Sequence, residues 1–394
     1  MEKRITEIIA FSAGDSNSYK TWSNIPYFLL RTLEEKGVIV HRVNIQLEDD
    51  NLFVKKILNI LNGAIRKLGR IGHPQRTVLC TLDRTKIYRK LVQIKIKKAI
   101  DTWSNSQILL CFDYSNIYRS NTSEKIYTMF CDWTIEYEIE EHQKRKAILL
   151  ERNMIKKQEE AMSKADLIIS LFPNVTEKLK LRFGDSKVKY LGNVINSDKC
   201  DSSSALDAHL NSNHILFIGR KAYKQGAISL IKAIQKYNQI KNKKIFIDII
   251  GMKPDDVGIN DNNISYYGYL NKQVSTQKDI YYNLISKAKC IVNTTENWMG
   301  ASSIIEAMYW QTPVIINPTS DIIKTFGNNI EFGFYCYRND PNEILKYIDK
   351  IMSLSDDEYI LMCKNARKSV SNFTWEAYTE RLMTVWSYLL KTRK

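Results

Sequence analysis

Short apolar runs alternate with longer amphipathic stretches along most of the chain. In the first half the apolar runs predict six strands, at residues 6–12, 38–45, 108–113, 126–132, 166–171 and 187–191. Most of these runs are apolar at successive positions, which is typical of parallel strands buried on both faces. The stretches between them, such as 25–36 and 144–165, carry apolar residues at helical spacing. The alternation predicts βα units built around a parallel sheet.

The alternation stops at residues 196–213, which hold five Ser and three Asp without an apolar period, and then starts again. The second half predicts strands at 214–219, 244–251, 264–267, 289–293 and 313–317, with helices between them such as 226–237 and 278–288. We therefore expect an α/β protein with two doubly wound, Rossmann-like domains. The predicted parts are a first domain (1–195), a linker (196–213), a second domain (214–372) and a terminal helix (373–394). In such pairs the ligand site is expected beyond the carboxyl ends of the strands, in the cleft between the domains.

Composition excludes several classes of protein. The 394 residues are 44% hydrophobic and 26% charged, which is enough apolar content to bury a core. Seven Cys include no C-x-x-C pair and five His never reach H-x-x-x-H spacing, so we expect no zinc ribbon, disulfide framework or metal site. No apolar run is long enough to span a bilayer, and the first residues do not resemble a signal peptide, which predicts a cytoplasmic protein. Neither G-x-G-x-x-G nor a P-loop occurs, which disfavours dinucleotide and P-loop enzymes.

Positive charge is concentrated in one segment. The formal net charge is +15, and residues 51–100 alone hold eight Lys and five Arg against a single acid, Asp83. Apolar residues recur there at helical spacing with basic residues between them, at Val54, Ile57, Leu58, Leu61, Ile65 and Leu68. A basic amphipathic helix can lie on an anionic membrane. A nucleic-acid face and a pair of solvated helices packed on their own domain remain open as alternatives.

The first candidate site is the segment Phe217-Ile218-Gly219-Arg220-Lys221-Ala222-Tyr223-Lys224-Gln225-Gly226. It predicts a strand, a basic loop and a helix that begins near Gly226. A helix N-terminus offers free N–H groups and a partial positive charge, to which Arg220 and Lys224 add full charges. This combination suits a diphosphate, and a solvated basic loop is the alternative.

The second candidate site follows the predicted strand 289–293. A turn of small residues, Gly300-Ala301-Ser302, leaves room for a ligand to approach backbone N–H groups, and Glu306 lies one turn into the next helix. Its carboxylate could accept hydrogen bonds from sugar hydroxyls. Because Ser303-x-x-Glu306 is also a capping-box pattern, a purely structural role for Glu306 is the alternative.

Together these motifs resemble family 4 glycosyltransferases of the GT-B fold. The resemblance rests on Phe-Ile-Gly-Arg with its basic loop, Ile250-Gly251, Tyr267-Gly268-Tyr269-Leu270, Glu306-Ala307-Met308 and Thr312-Pro313-Val314-Ile315. Phe373-Thr374-Trp375-Glu376 near the chain end, and Thr21-Trp22-Ser23-Asn24-Ile25-Pro26 after the first strand, fit the same family. The resemblance implies two domains facing a central cleft, with the last helix crossing back to the first domain.

The family implies a metal-independent, hexosyltransferase-type enzyme that moves a sugar from a nucleotide diphosphate to an acceptor hydroxyl with retention. It needs no cofactor; the donor would be a UDP-, GDP- or dTDP-sugar. Arg220 and Lys224 would stabilise the leaving diphosphate, and Glu306 would hold the ribose. The remaining donor-binding candidates are Gly219, Gly251, Leu270, Glu296, Gly300, Ala301 and Ser302. This chain departs from the family at two positions, because Trp298 occupies the place of its first Glu and Gln225 that of its loop Lys.

The first domain offers two further candidates, Gly14 after the first strand and Asp132 after the fourth. Asp132 would contact acceptor or donor sugar hydroxyls, or alternatively cap the next helix.

The expected partners are a nucleotide sugar, a glycan or lipid-linked glycan acceptor, and an anionic membrane surface that contacts residues 51–100. We expect no nucleic acid. The predicted role is synthesis of a bacterial cell-envelope polysaccharide at the inner face of the plasma membrane. The alternatives are a degenerate, non-catalytic GT-B protein and a basic module that binds nucleic acid or membrane.

Overall fold

The chain forms two compact units in a computed structural model that describes residues 4–50, 52–71, 81–118, 124–197, 202–242, 244–296 and 302–393. The first unit comprises Met1–Asn193 together with Trp375–Lys394, and the second comprises Val194–Thr374. Within the described ranges, no helix combines the length and the apolar composition needed to cross a bilayer.

The first unit is built on a parallel sheet of six strands in the order β2-β1-β3-β4-β5-β6. Its strands are β1 (Glu7–Ser12), β2 (Ile39–Asn44), β3 (Ile108–Cys111), β4 (Ile126–Cys131), β5 (Leu167–Ser170) and β6 (Val188–Tyr190). Its helices before the second unit are α1 (Ile25–Glu35), α2 (Leu52–Gly69), α3 (Lys86–Thr102), α4 (Ile135–Tyr137), α5 (Leu149–Lys164) and α6 (Pro173–Phe183). The four central strands are almost entirely buried, which explains their continuous apolar runs.

The second unit repeats the architecture with six parallel strands in the order β12-β11-β10-β7-β8-β9. Its strands are β7 (His214–Ile218), β8 (Phe246–Ile250), β9 (Ile264–Gly268), β10 (Cys290–Asn293), β11 (Val314–Ile316) and β12 (Gly333–Tyr335). Its helices are α7 (Ser202–Leu210), α8 (Lys224–Lys241), α9 (Pro254–Val257), α10 (Ser275–Lys287), α11 (Ser302–Tyr309), α12 (Ser320–Phe326), α13 (Pro341–Met352) and α14 (Asp356–Val370).

The last helix, α15 (Trp375–Thr392), belongs to the first unit although it follows the second along the chain. Its Trp386 is fully buried, and the indole Nε1–H donates to the Thr128 hydroxyl of β4 at 2.8 Å. Its Arg381 donates from Nε to the Leu191 carbonyl at 2.8 Å. These buried contacts hold α15 against the first sheet.

The predicted α/β fold with two doubly wound units is confirmed, and the predicted strands coincide with β1 to β11 to within two residues at each end. The edge strand β12 was not predicted. The expected linker 196–213 differs from the structure, since α7 occupies much of it and packs on α10 and α14. There His209 is fully buried, with its two ring nitrogens 2.7 Å and 2.8 Å from the carbonyls of Ala288 and Trp310. The side chains of α7 therefore attach this segment to the second unit, His209 through its hydrogen bonds and Leu206 and Leu210 by packing on the hydrophobic core.

Candidate functional site

Two glycine turns meet at the carboxyl edge of the second sheet. Gly219 follows β7 and donates its N–H to the Ile250 carbonyl at 3.0 Å, and Gly251 follows β8 and donates to the Gly268 carbonyl at 2.6 Å. Gly251 has a φ of +97°, and a Cβ there would lie 2.5 Å from the Gly219 carbonyl oxygen. Only glycine satisfies both the left-handed backbone and this close approach. The structure thus brings the predicted residues Gly219 and Gly251 into direct backbone contact.

The basic loop after Gly219 leads through a short 3₁₀ turn into the N-terminus of α8. Arg220 and Lys224 are exposed, and neither has an ion-pair partner among the described residues. The neighbouring Lys221, by contrast, pairs with Asp256 at 3.1 Å. Two such cations beside the free N–H groups of an 18-residue helix give a charge distribution that favours an anion.

Gly226 allows the first turn of α8 to approach the end of β10. A Cβ at Gly226 would lie 2.4 Å from the Thr295 hydroxyl. The Thr295 Oγ1 and the Asn293 Nδ2 are buried, and in the described part of the chain neither has a hydrogen-bond partner. Buried polar atoms without a protein partner are uncommon in folded proteins. The sequence motifs gave no indication of these two side chains, because only the fold places them beside α8.

The segment that follows is described only in part. Glu296 is exposed after β10, and Ser302 is the exposed first residue of α11. Gly300 and Ala301 lie outside the described residues, as does Trp298.

Glu306 projects into the protein rather than capping its own helix. It lies in the middle of α11, and its side chain is 5% exposed. Its Oε1 accepts from the Lys272 ammonium at 2.7 Å and from the Tyr282 hydroxyl at 3.3 Å, and its Oε2 accepts from the Tyr281 hydroxyl at 2.9 Å. Ser303 is the second residue of α11 and not its N-cap, so the capping-box alternative is wrong. Leu270, half-buried, packs in the same hydrophobic cluster as Tyr281 and Tyr282.

The first unit places Asp132 and Gly14 at the carboxyl edge of its own sheet. Gly14, with a φ of +106°, donates its N–H to the Asn44 side-chain oxygen at 3.0 Å. Asp132 follows β4, and its Oδ2 accepts from the Trp22 indole Nε1 at 2.7 Å. Burial raises the pKa of the Asp132 carboxyl to about 6, and the hydrogen bond from Trp22 opposes that rise. Displaced pKa values of this kind cluster at functional sites. No capping hydrogen bond from Asp132 to α4 is present, since Thr134 caps that helix.

The turn that carries Trp22 is strained. Trp22, Ser23 and Asn24 have φ values of 38°, 53° and 72°, which is left-handed backbone at three successive non-glycine residues. Such strain persists only where the surrounding structure imposes it, and it is concentrated at functional sites. The sequence motif here resembles a family pattern with glycine at the position of Asn24, and the left-handed φ explains that preference. The strained turn holds the Trp22 indole against Asp132.

A pocket of about 340 Å³ opens beside Asp132 within the first unit. The polar side chains that line it include Asp83, Arg84, Asp113, Asn116, Asp132, Trp133, Glu138 and Gln158. Asp113 is occupied in shaping the pocket wall, because its Oδ1 accepts from the backbone N–H groups of Ser115 and Asn116. A cavity rich in hydrogen-bonding groups, with one indole, suits a polyhydroxylated ligand.

Comparison with known proteins agrees with this fold. Residues 201–369 match the sequence family described as "Glycosyl transferases group 1". An uncharacterised glycosyltransferase of Methanocaldococcus jannaschii is 24% identical over 226 residues, covering 52% of this chain and 55% of the relative. The chain therefore matches only about half the length of that curated relative.

Solved structures resemble the chain over almost its whole length. A sucrose-phosphate synthase from Thermosynechococcus elongatus superposes with a TM-score of 0.66 at 15% identity, covering 98% of this chain and 100% of that one. WaaG, a glycosyltransferase involved in lipopolysaccharide biosynthesis, superposes with a TM-score of 0.62 at 10% identity, covering 96% and 99%. The fold is GT-B, and the resemblance to family 4 glycosyltransferases that the motifs predicted is confirmed.

Proposed function

We propose that this protein is a retaining, metal-independent glycosyltransferase that moves a hexose-type sugar from a nucleotide diphosphate to an acceptor hydroxyl. The observation that carries the proposal is the pair of cations at the N-terminus of α8, Arg220 and Lys224, which have no ion pair with any described residue. The bond from the sugar C1 to the diphosphate oxygen breaks, and a bond from C1 to the acceptor oxygen forms on the same face. The acceptor's proton goes to the departing phosphate oxygen, so no protein side chain is required as a general base.

The charges at α8 fit the demands of that step. Negative charge grows on the diphosphate as its bond to C1 breaks, and fixed cations and N–H groups stabilise it more than they stabilise the ground state. Gly219 and Gly251 remove side chains that would obstruct a nucleotide, and Leu270 offers an apolar surface for the base. Glu306 would accept a hydrogen bond from the ribose. The small-residue segment around Gly300, Ala301 and Ser302, with Glu296, would complete the donor site.

We assign the acceptor to the pocket of the first unit, beside Asp132 and Gly14. The Asp132 Oδ1 has no hydrogen-bond partner in the described part of the chain and can accept from a sugar hydroxyl, and Trp133 can contact a pyranose face. The acceptor is a glycan or a lipid-linked glycan of the bacterial cell envelope, reached from the cytoplasm. The resemblance to a lipopolysaccharide enzyme supports this choice.

A nucleotide panel tests the donor assignment. We expect UDP, GDP or dTDP to raise the thermal unfolding midpoint, since a ligand at about 100 times its Kd stabilises the folded state by roughly 2.7 kcal/mol. Without an acceptor, the protein should slowly transfer the sugar of the matching nucleotide sugar to water and release the nucleotide, with or without EDTA. If none of the three nucleotides stabilises the protein, the non-catalytic alternative is favoured; if EDTA abolishes turnover, metal independence is wrong.

We further propose that α2 brings the protein to an anionic membrane. The sequence places Val54, Ile57, Leu58, Leu61, Ile65 and Leu68 at helical spacing, and it left open whether these residues contact a membrane, a nucleic acid or their own domain. In the structure Leu58 and Ile65 pack on the core of the first unit, whereas Ile57, Leu61 and Leu68 are exposed. Phe53 and Ile60 join these three, at 70% and 74% exposure. At about 100° per residue, these five exposed side chains lie within an arc of roughly 100° on the helix.

The basic residues of α2 lie to one side of this stripe. Lys56 and Lys67 are nearest to it, followed by Lys55 and Arg66, and all four are exposed without an ion pair in the described ranges. Helix α3 repeats the pattern with exposed Ile87, Leu91 and Ile94. Moving aliphatic side chains from water into a lipid interface is favourable, whereas placing them beside the phosphates of a nucleic acid leaves them in water. This surface therefore favours a membrane over a nucleic acid.

Vesicle binding tests the α2 surface. We expect the protein to sediment with phosphatidylserine-containing vesicles at moderate salt. Phe53→Ser with Ile60→Ser should weaken binding at least tenfold, because each large apolar side chain contributes about 1.5–3 kcal/mol when fully buried. Lys56→Glu with Lys67→Glu should do the same, at about 1 kcal/mol for each lysine lost. Leu361→Ser, at an exposed position on α14, is the matched control. Equal binding to neutral vesicles, or concentration-dependent dimerisation that the serine pair abolishes, would replace the membrane by another partner.

A further inference from the structure

Lys272 is the least expected member of the cluster around Glu306. It lies in the loop between β9 and α10, where no motif pointed to a functional side chain. Its ammonium donates to the Glu306 Oε1 at 2.7 Å and to the Asn196 carbonyl at 2.6 Å, and lies 5.0 Å from the centre of the Tyr281 ring. Its side chain is 10% exposed. Lys272 therefore joins three segments of the second unit through its ammonium group.

This cluster controls how many hydrogen bonds Glu306 can still accept. A carboxylate offers about four acceptor positions. Lys272 and Tyr282 occupy those of Oε1, and Tyr281 occupies one of Oε2. Burial and the neighbouring Glu306 charge raise the pKa of Tyr281 well above its ordinary value, so its hydroxyl remains a donor. Among the partners that the described residues supply, one acceptor position on Oε2 remains for a ligand.

We propose that Lys272 is a positioning residue for the donor nucleotide: it holds the Glu306 carboxylate in a fixed orientation, so that one ribose hydroxyl finds a preformed acceptor. The inference rests on the proposed function and extends it to a side chain outside the motifs. A buried carboxylate without a counter-charge would be costly, and it would take up a proton or turn toward water. A carboxylate that is already held in place need not be reoriented when the nucleotide binds. The ion pair between Lys272 and Glu306 therefore affects nucleotide affinity more than the rate of the chemical step.

Nucleotide affinity and kinetics distinguish a positioning role of Lys272 from simple stabilisation of the fold. In Lys272→Met we expect the Kd for the stabilising nucleotide among UDP, GDP and dTDP, and the KM for its sugar, to rise roughly tenfold to hundredfold. The kcat should change by less than about threefold, because the variant loses binding that is equally strong in the bound substrate and in the transition state. Lys241→Met is the matched control, since it removes an exposed ion pair with Asp349 at the far end of α8. It should leave all three quantities unchanged.

A second variant keeps the test informative if Lys272→Met does not fold. The double variant Lys272→Met with Glu306→Gln removes both charges at nearly constant volume, so the fold should recover. A merely structural pair predicts that nucleotide affinity recovers as well, whereas positioning predicts that it stays at least tenfold weak. Normal affinity in a folded single or double variant overturns the inference and leaves the transferase intact. Failure of the wild-type protein to bind any of the three nucleotides refutes the proposed function instead.

Discussion

Arg220→Ala is expected to lower kcat/KM for sugar transfer by about 10²–10³-fold while leaving the thermal unfolding midpoint unchanged. Removing one preorganised donor that stabilises developing negative charge typically has an effect of this size. Stability should not change, because Arg220 is exposed and has no ion pair within the described ranges. The measurement is steady-state transfer from the nucleotide sugar identified by the panel, alongside a thermal melt.

The neighbouring residue supplies the control for Arg220. Lys221 belongs to the same loop and carries the same charge, but its ammonium is held by Asp256 at 3.1 Å. Lys221→Ala should therefore reduce kcat/KM by no more than a few-fold. Similar losses in both variants would mean that the loop acts through its overall charge, and near-normal turnover of Arg220→Ala would refute the diphosphate assignment.

Asp132→Asn is expected to stabilise the protein at neutral pH and to leave it unchanged in acid. The folded pKa of about 6 exceeds the ordinary Asp value of about 3.9, so the folded state holds more protons between those values. The free energy of unfolding of the wild-type protein therefore falls as pH rises through that window, by up to about 3 kcal/mol. An amide cannot ionise, and its oxygen can still accept from Trp22. The gain should thus be complete above pH 7 and absent near pH 3.5.

Urea denaturation at several pH values measures this difference. Trp22→Phe is the complementary variant, because it removes the hydrogen bond that opposes the rise in the pKa of Asp132. It should steepen the loss of stability with rising pH, whatever it does to stability overall. A stability difference between Asp132→Asn and wild type that is the same at every pH would show that packing, and not ionisation, separates them.

The strands, the two-unit division and the glycine turns were predictable from the sequence because their signals are local. A parallel strand buried on both faces needs a nearly continuous apolar run, as β3, β5 and β11 show. Gly219, Arg220 and Lys224 lie within six positions, so one strand, loop and helix suffice to place them together. The polar segment around α7 shows the opposite case, since its attachment includes the buried His209, whose hydrogen-bond partners lie 79 and 101 positions away along the chain.

The amino-acid sequence by itself determined the α/β class, the resemblance to family 4 glycosyltransferases and the cationic start of α8, since each depends on residues close together in the chain. Only the tertiary structure decided which side chains meet. Trp22 reaches Asp132 across 110 positions, and Lys272 reaches Glu306 across 34. Tertiary packing also divided the apolar residues of α2 into a partly buried and an exposed set. Helical periodicity predicts which residues share a face of the helix. Which of those residues become covered depends on the elements that pack against the helix, and the strand order determines which elements those are.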